Sequence, residues 1–236
     1  MNIEIIAEIG INWNGDMKLA KELIRLAKEN DANAAKFQLY DVDASFPDKK
    51  IIAQGKNWYN EVKKTQLTKE QTFQLAEWCK ETDIEFMASA SDLERVSWLE
   101  EVGVKRHKVA SSMNKNKELI DAMVNTGKEV LLSCQRVYLA YIPTQSIKAL
   151  YCIPRYPTQL NELGFDSIEF PEEFRGFSDH TIGIEASMIA MARGARIIEK
   201  HFCLKRDNSN PDMICSIEPS ELKQLVNFAR KVEEIL

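Results

Sequence analysis

The chain has 236 residues, 44% of them hydrophobic, with a formal net charge of −5 and a pI near 5.4. That apolar content fills the core of one large domain, and the acidic balance, without clustered Lys and Arg, excludes a general nucleic-acid surface. No stretch reaches the roughly 20 apolar residues of a membrane span, Glu4 and Glu8 interrupt the apolar start where a secretion signal would run unbroken, and the five cysteines (Cys79, Cys134, Cys152, Cys203, Cys215) are odd in number, lack CxxC spacing and read as reduced cytoplasmic thiols.

Taken in chain order, short apolar runs alternate with amphipathic segments. IEIIAEIGI (3–11) reads as a strand, and residues 17–30 follow as a helix with Leu19, Leu23, Ile24 and Ala27 on one face. AAKFQ (34–38) is a second strand, followed by a long polar loop. Thr68, with Gln71 three residues on, gives a capping-box start to a helix, and IEFMASAS (84–91) is a third strand. Asp92 caps a helix carrying Leu93, Val96 and Leu99. HKVASS (107–112) and EVLLSC (129–134) are strands four and five, around a helix over 117–126 that Gly127 stops. IKALYC (147–152), FRGFSD (174–179) and ARIIEKHF (195–202) are strands six to eight, and Pro219 opens a last helix carrying Leu222, Leu225, Val226, Ala229 and Val232.

Near-continuous apolar strands alternating with helices predict a parallel sheet covered on its outside, and eight of them predict an α/β protein of the (β/α)8 TIM-barrel class, a single domain over residues 1–236. An open doubly wound sheet is the alternative, with no comparable use for eight consecutive strands. Pro143 and Pro171 fall in the connections after strands five and six, so helices five and six are expected to be shortened or irregular.

Chemistry in such a barrel sits at the C-terminal strand ends. There the sequence offers Glu8; Lys36 and Gln38; Ser89; Lys108 and Ser111; Ser133; Tyr156; Ser178 and His180; and Glu199 with His201. Each has an ordinary reading alone: the lysines snorkel, the serines cap, and a histidine beside a strand is a hydrogen-bonded rim residue. Together they say more. Two lysines on near-buried strands are costly unless an anion pairs with them, and a phosphate or carboxylate ligand satisfies both. His180 and His201 on neighbouring strands, with Glu8 closing the ring, suit a divalent Mn, Mg or Zn ion that keeps open water positions.

On these residues the chain resembles the catalytic barrel of the N-acetylneuraminate (sialic acid) synthase family. IAEIGINWNGD, AAKFQ, KVASS, YPT, GFSDHTIG, IIEKHF and NPDMICSIEP match its signature segments in order along the whole length. The resemblance implies condensation of phosphoenolpyruvate with an acyclic amino-sugar aldehyde, giving a 2-keto sugar acid and phosphate. It assigns Lys36, Ser89, Lys108, Ser111, Ser133 and Ser178 to phosphoenolpyruvate, His180 and His201 to a divalent metal (Mn or Mg), Glu8 and Glu199 to proton handling, and Tyr156 and Asp212 to the sugar. With the lysines, the two glutamates make up the catalytic set.

Departures cluster on the sugar side. Trp13 replaces a His, Met113 a Glu, Pro154 an Asn and Met213 a His, while Cys134 and Gln135 replace a small TG pair. The family's C-terminal antifreeze-like domain, which lends an Arg to the neighbouring subunit, is expected to be absent. An altered, less polar acceptor follows, with a homodimer or a separately encoded partner domain completing the site. Two other readings stand beside this one: a barrel synthase making a seven- or eight-carbon keto acid, and a degenerate, non-catalytic barrel that binds phosphoenolpyruvate or metal as a partner subunit.

Overall fold

The structure is a computed structural model that describes residues 2–135 and 146–236. Eight parallel strands close into a barrel: β1 (Glu4–Gly10), β2 (Ala34–Leu39), β3 (Glu85–Ala90), β4 (Arg106–Val109), β5 (Glu129–Cys134), β6 (Ile147–Tyr151), β7 (Gly176–Asp179) and β8 (Ile197–His201). β1 pairs with both β2 and β8, so no sheet edge is left.

The local chemistry explains the helices. Asp16 caps Met17–Glu29 through Lys18 N, and that helix buries Ala20, Leu23, Ile24 and Ala27. The expected capping box forms at Thr68 and Gln71 ahead of Lys69–Glu81. Asp92 and Asn116 cap Leu93–Val102 and Lys117–Val124, and Pro219 begins Pro219–Ile235. Between β6 and β7 the predicted weakness is real: only the short 3₁₀ turns Leu160–Glu162 and Phe165–Ser167 form. The equally short fifth helix was expected over a segment that lies largely outside the described residues.

Two features depart from the sequence pattern. The loop after β2 is no plain polar linker: it folds two short helices, Val42–Ser45 and Tyr59–Lys63, and a small hairpin around Val42, Trp58, Tyr59 and Val62. A helix at Glu185–Ala192 follows β7 and buries Ala186, Ser187, Ala190 and Met191.

Inward side chains form layers. Ile6, Ala34, Met87, Leu131, Leu150 and Ile197 make an apolar belt. At the N-terminal end of the strands, Arg106 bonds Glu4 (2.6 Å), Glu85 (3.0 Å) and Glu129 (3.5 Å). The polar strand ends lie on the opposite side of the belt.

Candidate active site

Residue alternation decides which groups face inward. In β8, Ile197 joins the inner belt and Ile198 the outer core, so Glu199 and His201 point inward and Lys200 outward. The strands β7 and β8 also approach closely: a Cβ on Gly176 would stand 2.0 Å from the Ile197 carbonyl oxygen, so only glycine fits there. Across β1, a register shift between Glu8 and Gly10 ends the regular pairing with β2 beside the site.

All twelve residues to which the resemblance assigns a role line one cavity of about 730 Å³ at the C-terminal strand ends: Glu8, Lys36, Ser89, Lys108, Ser111, Ser133, Tyr156, Ser178, His180, Glu199, His201 and Asp212. A larger groove, about 1000 Å³, lies at the N-terminal end around Arg106 and holds none of them. The smaller one is the candidate site because the convergent ionisable groups are there.

The floor of the cavity is a buried charge network. Lys36 Nζ lies 2.7 Å from Glu8 Oε2 and 3.5 Å from Glu199 Oε2. Lys108 Nζ lies 3.7 Å from Glu199 Oε1 and donates to Ser133 Oγ (2.8 Å) and to the Val109 carbonyl (2.9 Å). Ser178 donates to Glu199 Oε1 (2.8 Å), and Gln38 to Glu8 Oε1 (2.9 Å). Burial opposes charge on every member, and the neighbours decide which groups resist it. Burial depresses Lys108. Against the same penalty, Glu199 and Glu8 hold Lys36 above its usual range, and Lys108 and Lys36 keep Glu199 below the usual carboxylate range. Glu8 goes the other way: burial and the neighbouring Glu199 raise it.

Above this floor sit the two imidazoles, their centroids 5.5 Å apart. Tyr156 stacks on His180 at 4.0 Å and meets His201 edge-on at 5.5 Å. His180 Nδ1 is 2.9 Å from the Ile153 carbonyl, which only accepts, so Nδ1 carries the hydrogen and Nε2 keeps its lone pair. Burial lowers His180 to about 4 and His201 well below its ordinary value. Both rings are therefore neutral near pH 7, the state a metal ligand requires. His201 Nδ1 stands 3.4 Å from Asp212 Oδ2 without hydrogen-bond geometry, and is a buried nitrogen with no hydrogen bond. Burial, reinforced by Glu8, raises Asp212 to about 7.

Among the described residues no three His, Cys, Asp or Glu side chains form a metal-ligand cluster. Two neutral imidazoles, one with an orphaned nitrogen, fit a divalent ion whose remaining positions are filled by water or substrate, and do not fit a closed structural site.

The structure corrects part of the sugar-side expectation. Trp13 and Met213 are 1% and 3% exposed, and neither lines the cavity; Trp13 belongs to the main core. Met113 and Pro154 do line it. Cys152, a lining residue with no assigned role in the sequence reading, is a buried thiol pushed up to about 12 by burial. Its place one residue beyond β6, on the inward phase, was the available signal.

A family model described as the NeuB family matches residues 23–236. The chain belongs to the NeuB family. It is 32% identical over 256 residues to the N,N'-diacetyllegionaminic acid synthase of Campylobacter jejuni, covering 98% of this chain and 77% of that protein. It is 31% identical over 253 residues to the human N-acetylneuraminate-9-phosphate synthase, covering 98% and 70%. The crystal structure of N-acetylneuraminic acid (sialic acid) synthetase from Leptospira borgpetersenii, in complex with citrate, superposes with a TM-score of 0.88 at 32% identity, over 100% of this chain and 85% of that one. A 3-deoxy-D-arabino-heptulosonate 7-phosphate synthase from Thermotoga maritima, at 15% identity and a TM-score of 0.74, shares the fold. The named synthases among this NeuB member's relatives make sugar acids, and no helix among its described residues is long and apolar enough to cross a membrane.

Proposed function

We propose that this NeuB-family chain is a phosphoenolpyruvate-dependent synthase that condenses phosphoenolpyruvate with an amino-sugar aldehyde. Carbon 3 of the enol bonds to the aldehyde carbon, water adds at carbon 2, and phosphate leaves, giving a 2-keto sugar acid. One observation carries the reading: two fully buried lysines, Lys36 and Lys108, meet across Glu199 on the floor of a cavity ringed with serine hydroxyls. Burying two ammonium groups is expensive unless a site uses them, and a phosphate with a carboxylate uses both.

Lys36, Lys108, Ser89, Ser111, Ser133 and Ser178 bind the phosphate and carboxylate in this reading. His180 and His201 hold a divalent ion, Mn or Mg, which when bound supplies Lewis-acid polarisation of the aldehyde oxygen. Glu199, held below the usual carboxylate range by the lysines, stabilises positive charge developing nearby, while Glu8, pushed upward by burial and by Glu199, is the carboxyl placed to exchange a proton. Tyr156 and Asp212 orient the sugar. Met113 and Pro154 make the acceptor end less polar, so the preferred aldehyde carries fewer hydrogen-bonding groups than N-acetylmannosamine.

Phosphate release from phosphoenolpyruvate, assayed with Mn or Mg against a panel of aldoses, tests the proposal. Aldose-dependent release that is lost in Lys108→Met is expected. Failure of every aldose to elicit release while phosphoenolpyruvate still binds would instead support a binding barrel without turnover.

A further inference from the structure

The outward faces of β7 and β8 carry a second set of charges directly behind the first. Ser178 pairs in register with Glu199, and Asp179 with Lys200, so an inward couple is followed by an outward one. Asp179 and Lys200 are both 0% exposed, with Lys200 Nζ 3.1 Å from Asp179 Oδ2. Lys200 also donates to the Thr181 carbonyl (2.6 Å). Asp179 Oδ1 accepts from Thr181 N and Thr181 Oγ1, both at 2.7 Å, and Oδ2 accepts from Ser187 Oγ (2.6 Å) on the following helix. On the other side, Thr158 N donates to the His180 carbonyl (2.9 Å). Both polar atoms of the peptide joining His180 to Thr181 are thus held, and the next carbonyl is gripped by a lysine that lies between Glu199 and His201 in sequence.

Stability does not explain this arrangement. Desolvating two charges costs about as much as their attraction returns, and an apolar pair of similar size is often as stable. An apolar pair cannot hold the Thr181 carbonyl, which needs a donor. We infer that Asp179 and Lys200 are positioning residues: a buried clamp on the outside of the barrel that fixes His180 relative to His201, and Ser178 relative to Glu199. The inference rests on the proposed role of those inward groups in holding metal and anion.

Asp179→Asn with Lys200→Met removes both charges together, keeps an amide oxygen for Thr181 and an amide N–H for Ser187, and strips the Thr181 carbonyl of its donor. Three quantities are compared with the intact protein: thermal stability, Mn affinity by electron paramagnetic resonance of the free ion, and imidazole ¹⁵N signals recorded without metal. The expected result is a folded variant of near-normal stability, shifted His180 and His201 ring signals, and Mn affinity weakened by about tenfold or more, the usual effect of losing groups that orient metal ligands. Lys200→Arg, which keeps a donor for Thr181, retains most of the affinity. Unchanged ring signals and Mn affinity in the folded double variant overturn the clamp.

If the intact protein and His180→Ala bind Mn equally weakly, the metal reading has failed, and the metal-free ring signals decide the clamp by themselves. Should the double variant not fold, Ser187→Ala frees one Asp179 oxygen from a helix outside the cavity. It is expected to shift the same two ring signals, and their constancy there would equally overturn the proposal.

Discussion

The two ends of the barrel interior both bury charge, and they do it differently. At the N-terminal end one guanidinium, Arg106, is shared by three carboxylates, Glu4, Glu85 and Glu129, whose side chains remain 31%, 16% and 26% exposed. At the C-terminal end two ammonium groups share two carboxylates whose side chains are 2% and 7% exposed, beneath two neutral imidazoles. The first cluster has three carboxylates for one guanidinium, and its excess negative charge is left to solvent and to Lys148, which meets Glu129. The second is drier, sets two ammonium groups against two carboxylates, and turns both lysines and Ser89, Ser111, Ser133 and Ser178 to the cavity, where an anion would meet them.

The sharpest way to break this contrast is to strike the imidazoles. His180→Ala or His201→Ala should abolish Mn binding and reduce metal-dependent turnover to background; full activity in both would mean the upper end is not a metal site. Arg106→Met addresses the lower end. It should cost on the order of 3 kcal/mol in chemical denaturation, at the low end of the range for breaking a buried pair because the three glutamates stay partly wet. The affinity for phosphoenolpyruvate should not change, and a matching loss of affinity would erase the distinction between the two ends.

Lys36→Met should weaken phosphoenolpyruvate binding roughly tenfold or more, since a hydrogen bond to a charged group contributes about 1.5–3 kcal/mol. Isothermal titration checks it, and an unaltered dissociation constant would place the anion elsewhere. The smallest expected effect is on pH dependence without metal. An unfolded imidazole titrates near 6.5, whereas burial holds His180 unprotonated down to about 4. Between those values the unfolded chain binds more protons, so stability is lost as pH falls through that window. Asp212, raised to about 7, contributes with the opposite sign over the same window, so the readout is a difference: in thermal melts from pH 7 to 4 the intact protein should lose more stability, or gain less, than His180→Gln.

Most of this was legible in the chain itself, for a physical reason. A parallel barrel gives every strand the same end at which to present side chains, so polar residues closing apolar runs, such as Ser133 after VLL and Glu199 after II, point to one place without knowledge of the contacts. What pairs with what was not legible. Glu199 bridging both lysines depends on register between strands far apart in sequence, and nothing in IIEKHF distinguishes the inward Glu199 from the outward Lys200 until the phase of β8 is fixed by Ile197. Trp13 and Met213 misled because position in a loop does not give the direction of the side chain: the turn after Gly10 carries Trp13 into the core. The loop after β2 hid its small core because its apolar residues, Val42, Trp58 and Val62, follow no single period.

Gly10 limits how this pocket can change over generations. It sits at φ +52°, where side chains are strained, and a Cβ there would meet Gln38 Nε2 at 2.9 Å, Glu8 Oε1 at 3.0 Å and Asp212 Oδ2 at 3.4 Å. Any heavier residue is strained at that φ and must push Gln38 aside and crowd Glu8, so mutational drift finds that wall of the cavity closed. For the proposed synthase, new acceptor preferences arise at Met113 and Pro154, which also line the cavity, while position 10 stands still.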